Sequence, residues 1–366
     1  MSKIKVAIAG LGNVASALIQ AIEYYKDIKE EDMYQEGLMN PSVGGYLPKD
    51  VEVVAAFDVS TTKIGKDLAE AIFAPPNCCQ VFAKVPPTGV KCLPGPILDG
   101  VYEGTREYFY CYDEEEVSPV DVAEELRSAG AEILLNYLPV GSYHASRAYA
   151  QAALDAGCGF INCIPEFIVS ERIPGDKDWV AEFTSRGLPC AGDDIKSQVG
   201  ATILHRVLAK LFLDRGVIVK DTYQLNIGGN ADFFNMQLES RLTTKRKSKS
   251  SAVTSVLPYP VEVRIGPSDY VPFLGDKKIC YIRINGITVG GLPLVLDAKL
   301  RVEDSPNSAG VCLDLIRVMK IALDRGISGR LDSISSFCFK HPPIQPPSDV
   351  TAKKWVREFI EGTRER

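Results

Sequence analysis

Four lysines are the leading candidates for chemistry in this chain. Lys245 and Lys249 sit in a basic run, 241–249, that also holds Arg241, Arg246 and Lys247, while Lys278 and Lys340 lie further on. An ammonium group can hold an anionic substrate or steady an oxygen that gathers negative charge. A buried lysine with a lowered pKa can also move a proton. A run of like charge is commonly only a solvated face. This one falls mid-chain in a protein whose formal net charge is −6, so convergence of the lysines on an anion is the sharper reading.

A second candidate is Gly10-Leu11-Gly12-Asn13-Val14-Ala15, which fits the dinucleotide fingerprint with alanine in the third glycine position. Gly10 permits the tight turn, and Gly12 lets the backbone approach a pyrophosphate held at a helix N-terminus. Asp58 closes the next apolar run, where a carboxylate can bind both ribose hydroxyls of an adenosine and repel a 2′-phosphate. NAD is therefore favoured over NADP. Asp58 lies much farther on than the usual ~20 residues, so the polar stretch from Asp27 to Asp50 reads as an insertion.

Gly192-Asp193-Asp194-Ile195-Lys196-Ser197-Gln198 is a third candidate, with two readings left open. Ser197 and Gln198 could donate to phosphate oxygens at a helix start, or Asp and Ser could merely cap that helix. The paired carboxylates could bind a cation, but two ligands do not make a metal site. Asn226 to Asp232 could be a turn, and Asp304 to Ser308 a capping segment. The histidines, His144, His205 and His341, share no spacing. His205 lies among Leu204, Val207 and Leu208, which suits a satisfied structural histidine.

The elements that must position these groups follow from hydrophobic patterning. Lys5 to Ala9 is a buried strand, followed by a helix from Val14 to about Tyr25. Strands are predicted over 51–59, 131–138, 159–164 and 188–192, and helices over 143–156 and 177–185. That alternation implies a doubly wound parallel sheet. Pro75-Pro76, Pro86-Pro87, Pro94 and Pro96 mark a surface excursion rather than core sheet. After Asp194 the pattern changes. A helix over 197–214 precedes strands at 222–227, 261–265, 279–284 and 293–302, which without helical crossovers suggest an antiparallel sheet. A second long helix is predicted from Pro306 to Leu323 with Ser305 as its N-cap, and an amphipathic helix ends the chain.

The 366 residues suit two packed domains, and 46% apolar with 24% charged residues is an ordinary globular mix. No apolar run reaches the ~18–20 residues of a membrane helix, and the start lacks the layout of a signal peptide. A soluble, cytoplasmic chain is expected, without membrane partner. The acidic balance argues against nucleic-acid binding. Ten cysteines are scattered without metal spacing, so reduced structural thiols are expected.

Six motifs, at 10–16, 136–142, 192–197, 226–232, 245–250 and 303–305, resemble myo-inositol-1-phosphate synthase in the expected order, most of all its short bacterial and archaeal branch. The resemblance implies an isomerase of inositol biosynthesis that converts D-glucose 6-phosphate to 1D-myo-inositol 3-phosphate with bound NAD and no net redox change. It implies oxidation at C5, enolisation, aldol closure between C1 and C6, and re-reduction. The fold it implies is a Rossmann-type NAD-binding domain, 1–195 completed by 306–366, and an α+β domain, 196–305, whose antiparallel sheet builds a homotetramer.

By the same resemblance Lys245, Lys249, Lys278 and Lys340 are the active-site lysines. Lys245 would shuttle a proton at the C5 oxygen with support from Lys340, while Lys249 and Lys278 hold the phosphate and the C1 oxygen. The cofactor would lie against Gly10, Gly12, Asn13, Val14, Ala15, Asp58, Leu138, Pro139, Asp194, Asp304 and Ser305. The substrate would meet Ser197, Gln198, Asn226, Asn230, Asp232 and Asp276. The substrate phosphate is a candidate base at C6. Family members differ in their use of a divalent or monovalent cation, and the residues show no clear cage. The rivals are an ordinary NAD-linked dehydrogenase and a non-catalytic NAD sensor.

Overall fold

The computed structural model describes residues 2–237 and 250–366. Lys245 and Lys249, with the rest of the basic run, lie outside the described residues. The first half alternates β1 (Ile4–Ala9), α1 (Asn13–Tyr24), β2 (Val51–Asp58), α2 (Leu68–Ala71), β3 (Cys92–Pro94), α3 (Val122–Ala129), β4 (Ile133–Asn136), α4 (Tyr143–Ala156), β5 (Gly159–Asn162), α5 (Trp179–Ser185) and β6 (Pro189–Ala191). Then come α6 (Ala201–Asp214), β7 (Ile218–Gly228), α7 (Ala231–Asn235), β8 (Glu262–Tyr270), β9 (Lys277–Ile287) and β10 (Pro293–Glu303). The chain closes with α8 (Pro306–Asp324), β11 (Gly329–Arg330), α9 (Asp332–Cys338) and α10 (Asp349–Glu361).

Seven strands form one sheet in the order β11-β6-β5-β4-β1-β2-β3, and every pairing is parallel. Successive side chains of a strand point to opposite faces, so β1 serves two cores. Val6 and Ile8 pack with Leu18 of α1 and with Leu313, Ile316 and Met319 of α8. Ala7 and Ala9 pack on the other face with Leu126 of α3, Ala150 of α4 and Phe183 of α5. Helix α8 is buried on nearly every side, and β11 then extends the sheet beside β6. The end of the chain therefore completes the sheet that its beginning opened.

The 27–50 insertion is tied down from α8. The fully buried Arg317 guanidinium donates to the carbonyls of Asn40, Pro41 and Tyr46 and pairs with Asp314 at 2.6 Å. Its loss would leave these acceptors and a buried carboxylate without their cation, a defect that costs on the order of 3–5 kcal/mol.

The second sheet has the order β10-β9-β7-β8. The β10–β9 and β9–β7 pairs are antiparallel, but β7 and β8 are parallel. The expected antiparallel sheet is thus mixed at one edge. A parallel neighbour needs a long return path, and residues 229–261 provide it between β7 and β8. Cys280, Ile282 and Ile284 of β9 face Ala209 and Phe212 of α6, whereas Tyr281 and Arg283 face outward.

The proline-rich excursion departs from expectation too. Its Cys92–Pro94 segment pairs with β2 as the sheet edge, where the missing N–H of Pro94 is tolerated. All ten cysteines are free, and most are buried. Among the described residues, no helix is long and apolar enough to cross a membrane.

Candidate functional site

In an open parallel sheet, ligands bind beyond the strand ends where the strand order reverses. Here β1 lies between β2 and β4, and one cleft opens above that point. Gly10, Gly12, Asn13, Val14 and Ala15 line it after β1, and Tyr137, Leu138 and Pro139 after β4. Gly10 has φ +90°, and a Cβ there would sit 2.8 Å from the Tyr137 carbonyl oxygen, so only glycine fits. Gly12 caps α1 without a side-chain hydrogen bond, and a Cβ there would meet nothing within 4 Å. No side chain therefore caps the first amides of α1, and the space beside Gly12 is open. That arrangement fits a pyrophosphate.

Asp58 stands at the end of β2, in the cleft lining. Its carboxylate accepts from the backbone amides of Leu11 (2.8 Å), Val59 (2.8 Å) and Ser60 (2.9 Å), and from Lys63 Nζ at 3.2 Å. Lys63, which no motif marked, also donates to the Leu11 carbonyl at 2.9 Å. Asp58 thus braces the glycine turn as well as facing the cleft. Asn13 works similarly, its Oδ1 accepting from the amides of Cys78 and Cys79. The excursion that follows supplies Ile97, Val101 and Phe109 to the cleft, a role that its composition does not reveal.

The opposite wall comes from the second sheet and α8. Lys278 Nζ lies 3.2 Å from Asp304 Oδ1. Burial pulls the Lys278 pKa down, but the Asp304 and Asp232 carboxylates outweigh it and hold the ammonium above the ordinary lysine value. Asn230 caps the short α7 and donates to Asp276 at 3.0 Å. Asp276 also accepts from the Ser305 amide (3.1 Å) and hydroxyl (2.8 Å). Ser305 is therefore not a side-chain cap for α8, because its hydroxyl has turned to a buried acceptor. Asn230, Asp232, Lys278, Asp304 and Ser305 line the cleft, while Asp276 is outside the lining, behind Asn230 and Ser305.

The Gly192–Gln198 segment divides its groups. Asp193 is fully buried and accepts from Asn162, from the amides of Ile168, Val169 and Ser170, and from the Ser170 hydroxyl. Burial nonetheless raises its pKa against those bonds. Asp194 takes φ +64°, which brings both its carbonyl and its carboxylate to Lys340, at 2.7 Å from the amide and 2.8 Å from Nζ. The adjacent carboxylates therefore do not converge on a common ion. Among the described residues, no group of three or more His, Cys, Asp or Glu is arranged to hold a metal.

Helix α6 begins at Ala201 behind a Gly200 cap, later than the sequence suggests, so Ser197 does not cap it. Ser197 lines the cleft, 3.3 Å from the Ser308 hydroxyl. Gln198 is not brought to the cleft lining; it donates to the Gly37 carbonyl at 2.8 Å and so holds the insertion. Lys196 is in the lining, but its ammonium reaches Ser336 O (3.1 Å) and Asp349 (3.5 Å), and burial draws its pKa to about 8. Asn226 also lines the cleft, and its Nδ2, though buried, has no partner among the described residues. An orphaned polar atom at a cleft wall is an invitation to a ligand.

A chain with this cleft is similar over its whole length to known proteins. It is 50% identical to the inositol-3-phosphate synthase of Corynebacterium glutamicum across 99% of each chain. The corresponding enzyme of Mycolicibacterium smegmatis is 48% identical across 98% of each. The chain belongs to the myo-inositol-1-phosphate synthase family. The family model itself, described as myo-inositol-1-phosphate synthase, matches residues 200–305, the stretch that carries Asn226, Asn230, Asp232, Asp276, Lys278 and Asp304. Among solved structures, Ari2 superposes with a TM-score of 0.78 at 34% identity, covering 99% of both chains. A myo-inositol-1-phosphate synthase-related protein from Thermotoga maritima superposes with a TM-score of 0.76 at 25% identity over 100% of both chains, so the α/β architecture, a parallel sheet beside a smaller mixed sheet, is shared with the family.

Proposed function

We infer that the protein converts D-glucose 6-phosphate to 1D-myo-inositol 3-phosphate, an isomerisation without net redox change. Family membership supports the reaction. The observation that carries its placement is the single cleft that runs from the Gly10–Gly12 turn to Lys278 and Lys340. We assign NAD to the glycine end, against Gly10, Gly12, Asn13, Val14, Ala15, Asp58, Leu138 and Pro139, with Asp194, Asp304 and Ser305 toward the nicotinamide. When bound, NAD supplies the hydride acceptor that makes C5 a ketone and the hydride donor that later reduces the ketone.

The remaining demands fall on the chain itself. A ketone at C5 makes the C6 proton acidic; the substrate phosphate takes that proton, and the resulting enolate attacks the C1 aldehyde to form the C1–C6 bond. Oxygens on C5 and then C1 gather negative charge, and each needs a fixed cation in a site with little water. Lys278 and Lys340 meet this need because Asp304 and Asp194 hold them in place. Lys245 and Lys249 complete the set in the proposal, with Lys245 moving the proton at the C5 oxygen. Ser197, Asn226, Asn230 and Asp232 are assigned to the substrate. Asp276 orients Asn230 and Ser305.

We divide the chain into a cofactor unit, 1–195 with 306–366, and a catalytic unit, 196–305. The burial of α8 against β1 supports the first. The outward face of the second sheet exposes Leu225, Tyr281 and Val295, which supports self-association into a homotetramer. Light scattering that gave a monomer would refute that assembly.

A 31P NMR time course with glucose 6-phosphate and NAD+, with absorbance at 340 nm in parallel, tests the function. Conversion to an inositol phosphate without accumulating NADH is expected. Stoichiometric NADH with an oxidised product would overturn the assignment. Lys278→Met and Lys340→Met should each lower turnover by roughly 10²–10³-fold, the scale of losing one preorganised charge partner, while NAD still binds. Wild-type rates would remove these lysines from the mechanism. Repeating the assay after chelation and with added divalent or monovalent salts decides the cation requirement.

A further inference from the structure

Behind the cleft wall, four buried side chains form a hydrogen-bonded row. Thr222, Gln224 and Asn226 alternate along β7 and so project to one face of the sheet. His205 meets them from α6. Their exposures are 3%, 1%, 2% and 0% respectively, so no bulk water completes their bonding. Thr222 Oγ1 lies 2.6 Å from the Arg283 carbonyl oxygen, and His205 Nε2 lies 2.7 Å from Thr222 Oγ1. His205 Nδ1 is 3.3 Å from the Gln224 amide, and that amide is 3.1 Å from the Asn226 amide. Gln224 and Asn226 line the cleft, and one end of Asn226 is left over.

Counting hydrogens fixes the direction of this row. A threonine hydroxyl has one hydrogen and a carbonyl oxygen has none, so the hydrogen between Thr222 and Arg283 belongs to Thr222. Toward His205, Thr222 can then only accept, and Nε2 must carry the ring hydrogen. His205 is neutral at physiological pH, since burial draws its pKa to about 4, so Nδ1 is a bare acceptor. The Gln224 group facing it must be the N–H2 end. The Gln224 oxygen then faces Asn226, which must donate to it. Interchanging the two ends of each amide in place moves no heavy atom. With that polarity each of the four side chains places one hydrogen on an acceptor: Thr222 on the Arg283 carbonyl oxygen, His205 on Thr222, Gln224 on His205 and Asn226 on Gln224. In the opposite polarity, the single Thr222 hydrogen would have to serve both Arg283 and His205.

We propose that Thr222, His205 and Gln224 are positioning residues that fix Asn226 with its amide oxygen as the free end at the cleft, an acceptor for a hydroxyl or amide N–H of the bound ligand. A phosphate or carbonyl oxygen is rejected there, because two acceptors would face each other. The donor is a sugar hydroxyl of the substrate or the carboxamide N–H2 of the nicotinamide. This ligand assignment rests on the function inferred above; the polarity of the row does not.

The row is read directly by 15N NMR of histidine-labelled, ligand-free protein, with His205→Gln used to assign the ring signals. A protonated Nε2 beside a bare Nδ1 is expected, and a protonated Nδ1 overturns the proposal whatever reaction the protein catalyses. Thr222→Val and Thr222→Ser then test the coupling to the cleft. Thr222→Val releases the polarity without touching the ligand and should weaken binding about tenfold, the lower part of the range for a mispaired buried group. The loss falls on the KM for glucose 6-phosphate if a sugar hydroxyl is the donor, and on the Kd of NAD if the carboxamide is. Thr222→Ser should restore it. Unchanged affinity for both ligands in a Thr222→Val protein that melts like wild type overturns the positioning role.

Discussion

Asp276 gives a quantitative test of the electrostatics behind the cleft. Its carboxyl is 3% exposed and its pKa is pushed up to about 6 from an ordinary 3.8. Burial is the largest cause; hydrogen bonds from Asn230 and Ser305 oppose it, and the Asp304 charge adds to it. At 1.36 kcal/mol per pH unit, that gap corresponds to roughly 3 kcal/mol. Because the pKa is raised in the folded state, the folded protein binds this proton more tightly than the unfolded chain. The resulting stability is fully present below about pH 3.8 and is lost as pH rises through about 6.

Urea denaturation of wild type and Asp276→Asn, from about pH 4 to about pH 8 and without ligands, isolates this contribution. Protein concentration must be fixed, because association shifts apparent stability. Wild type minus variant should fall by about 2 kcal/mol between about pH 4 and about pH 6 and level off above about pH 7. Taking the difference is essential. His205 acts in the opposite sense, since burial lowers its pKa from 6.5 to about 4 and its contribution is lost as pH falls through that window. A difference that stays flat between about pH 4 and about pH 7 would refute the account of Asp276 as a carboxylate ionised against its surroundings.

Three further substitutions probe the cleft. Gly10→Ala forces a Cβ to 2.8 Å from the Tyr137 carbonyl at φ +90°; NAD affinity by calorimetry should fall at least about tenfold, with about 1–3 kcal/mol of lost stability, and normal binding would exclude the glycine turn as the cofactor cradle. Asp58→Ala strands three backbone amides and the buried Lys63, so both NAD affinity and melting temperature should drop, and unchanged affinity would remove Asp58 from the site. Gln198→Ala should cost about 1 kcal/mol of stability through the lost Gly37 bond while kcat/KM stays within about twofold of wild type; a large kinetic loss would return Gln198 to the substrate.

Features that depend on neighbours along the chain could be read from the residues alone. A buried strand, a glycine turn and a helix at 4–24 are written in consecutive residues, as are the alternation of β9 and the apolar run of α8. The same locality made the family legible, because its motifs are short words that survive without knowledge of what faces them. Pairings between distant segments were set only by packing. Arg317 reaches 271 to 277 residues back to the carbonyls of 40–46, and no local pattern encodes that bond. Ser305 has the composition of a cap but donates to Asp276, and Gln198 sits in a substrate-like motif but holds Gly37. In each case a polar side chain took the strongest unsatisfied partner within reach, and packing alone determined which partner that was. The polarity of the row from Thr222 to Asn226 is the extreme instance. It depends on a single hydroxyl hydrogen held by a carbonyl of the neighbouring strand, a constraint that exists only once β7, β9 and α6 have come together.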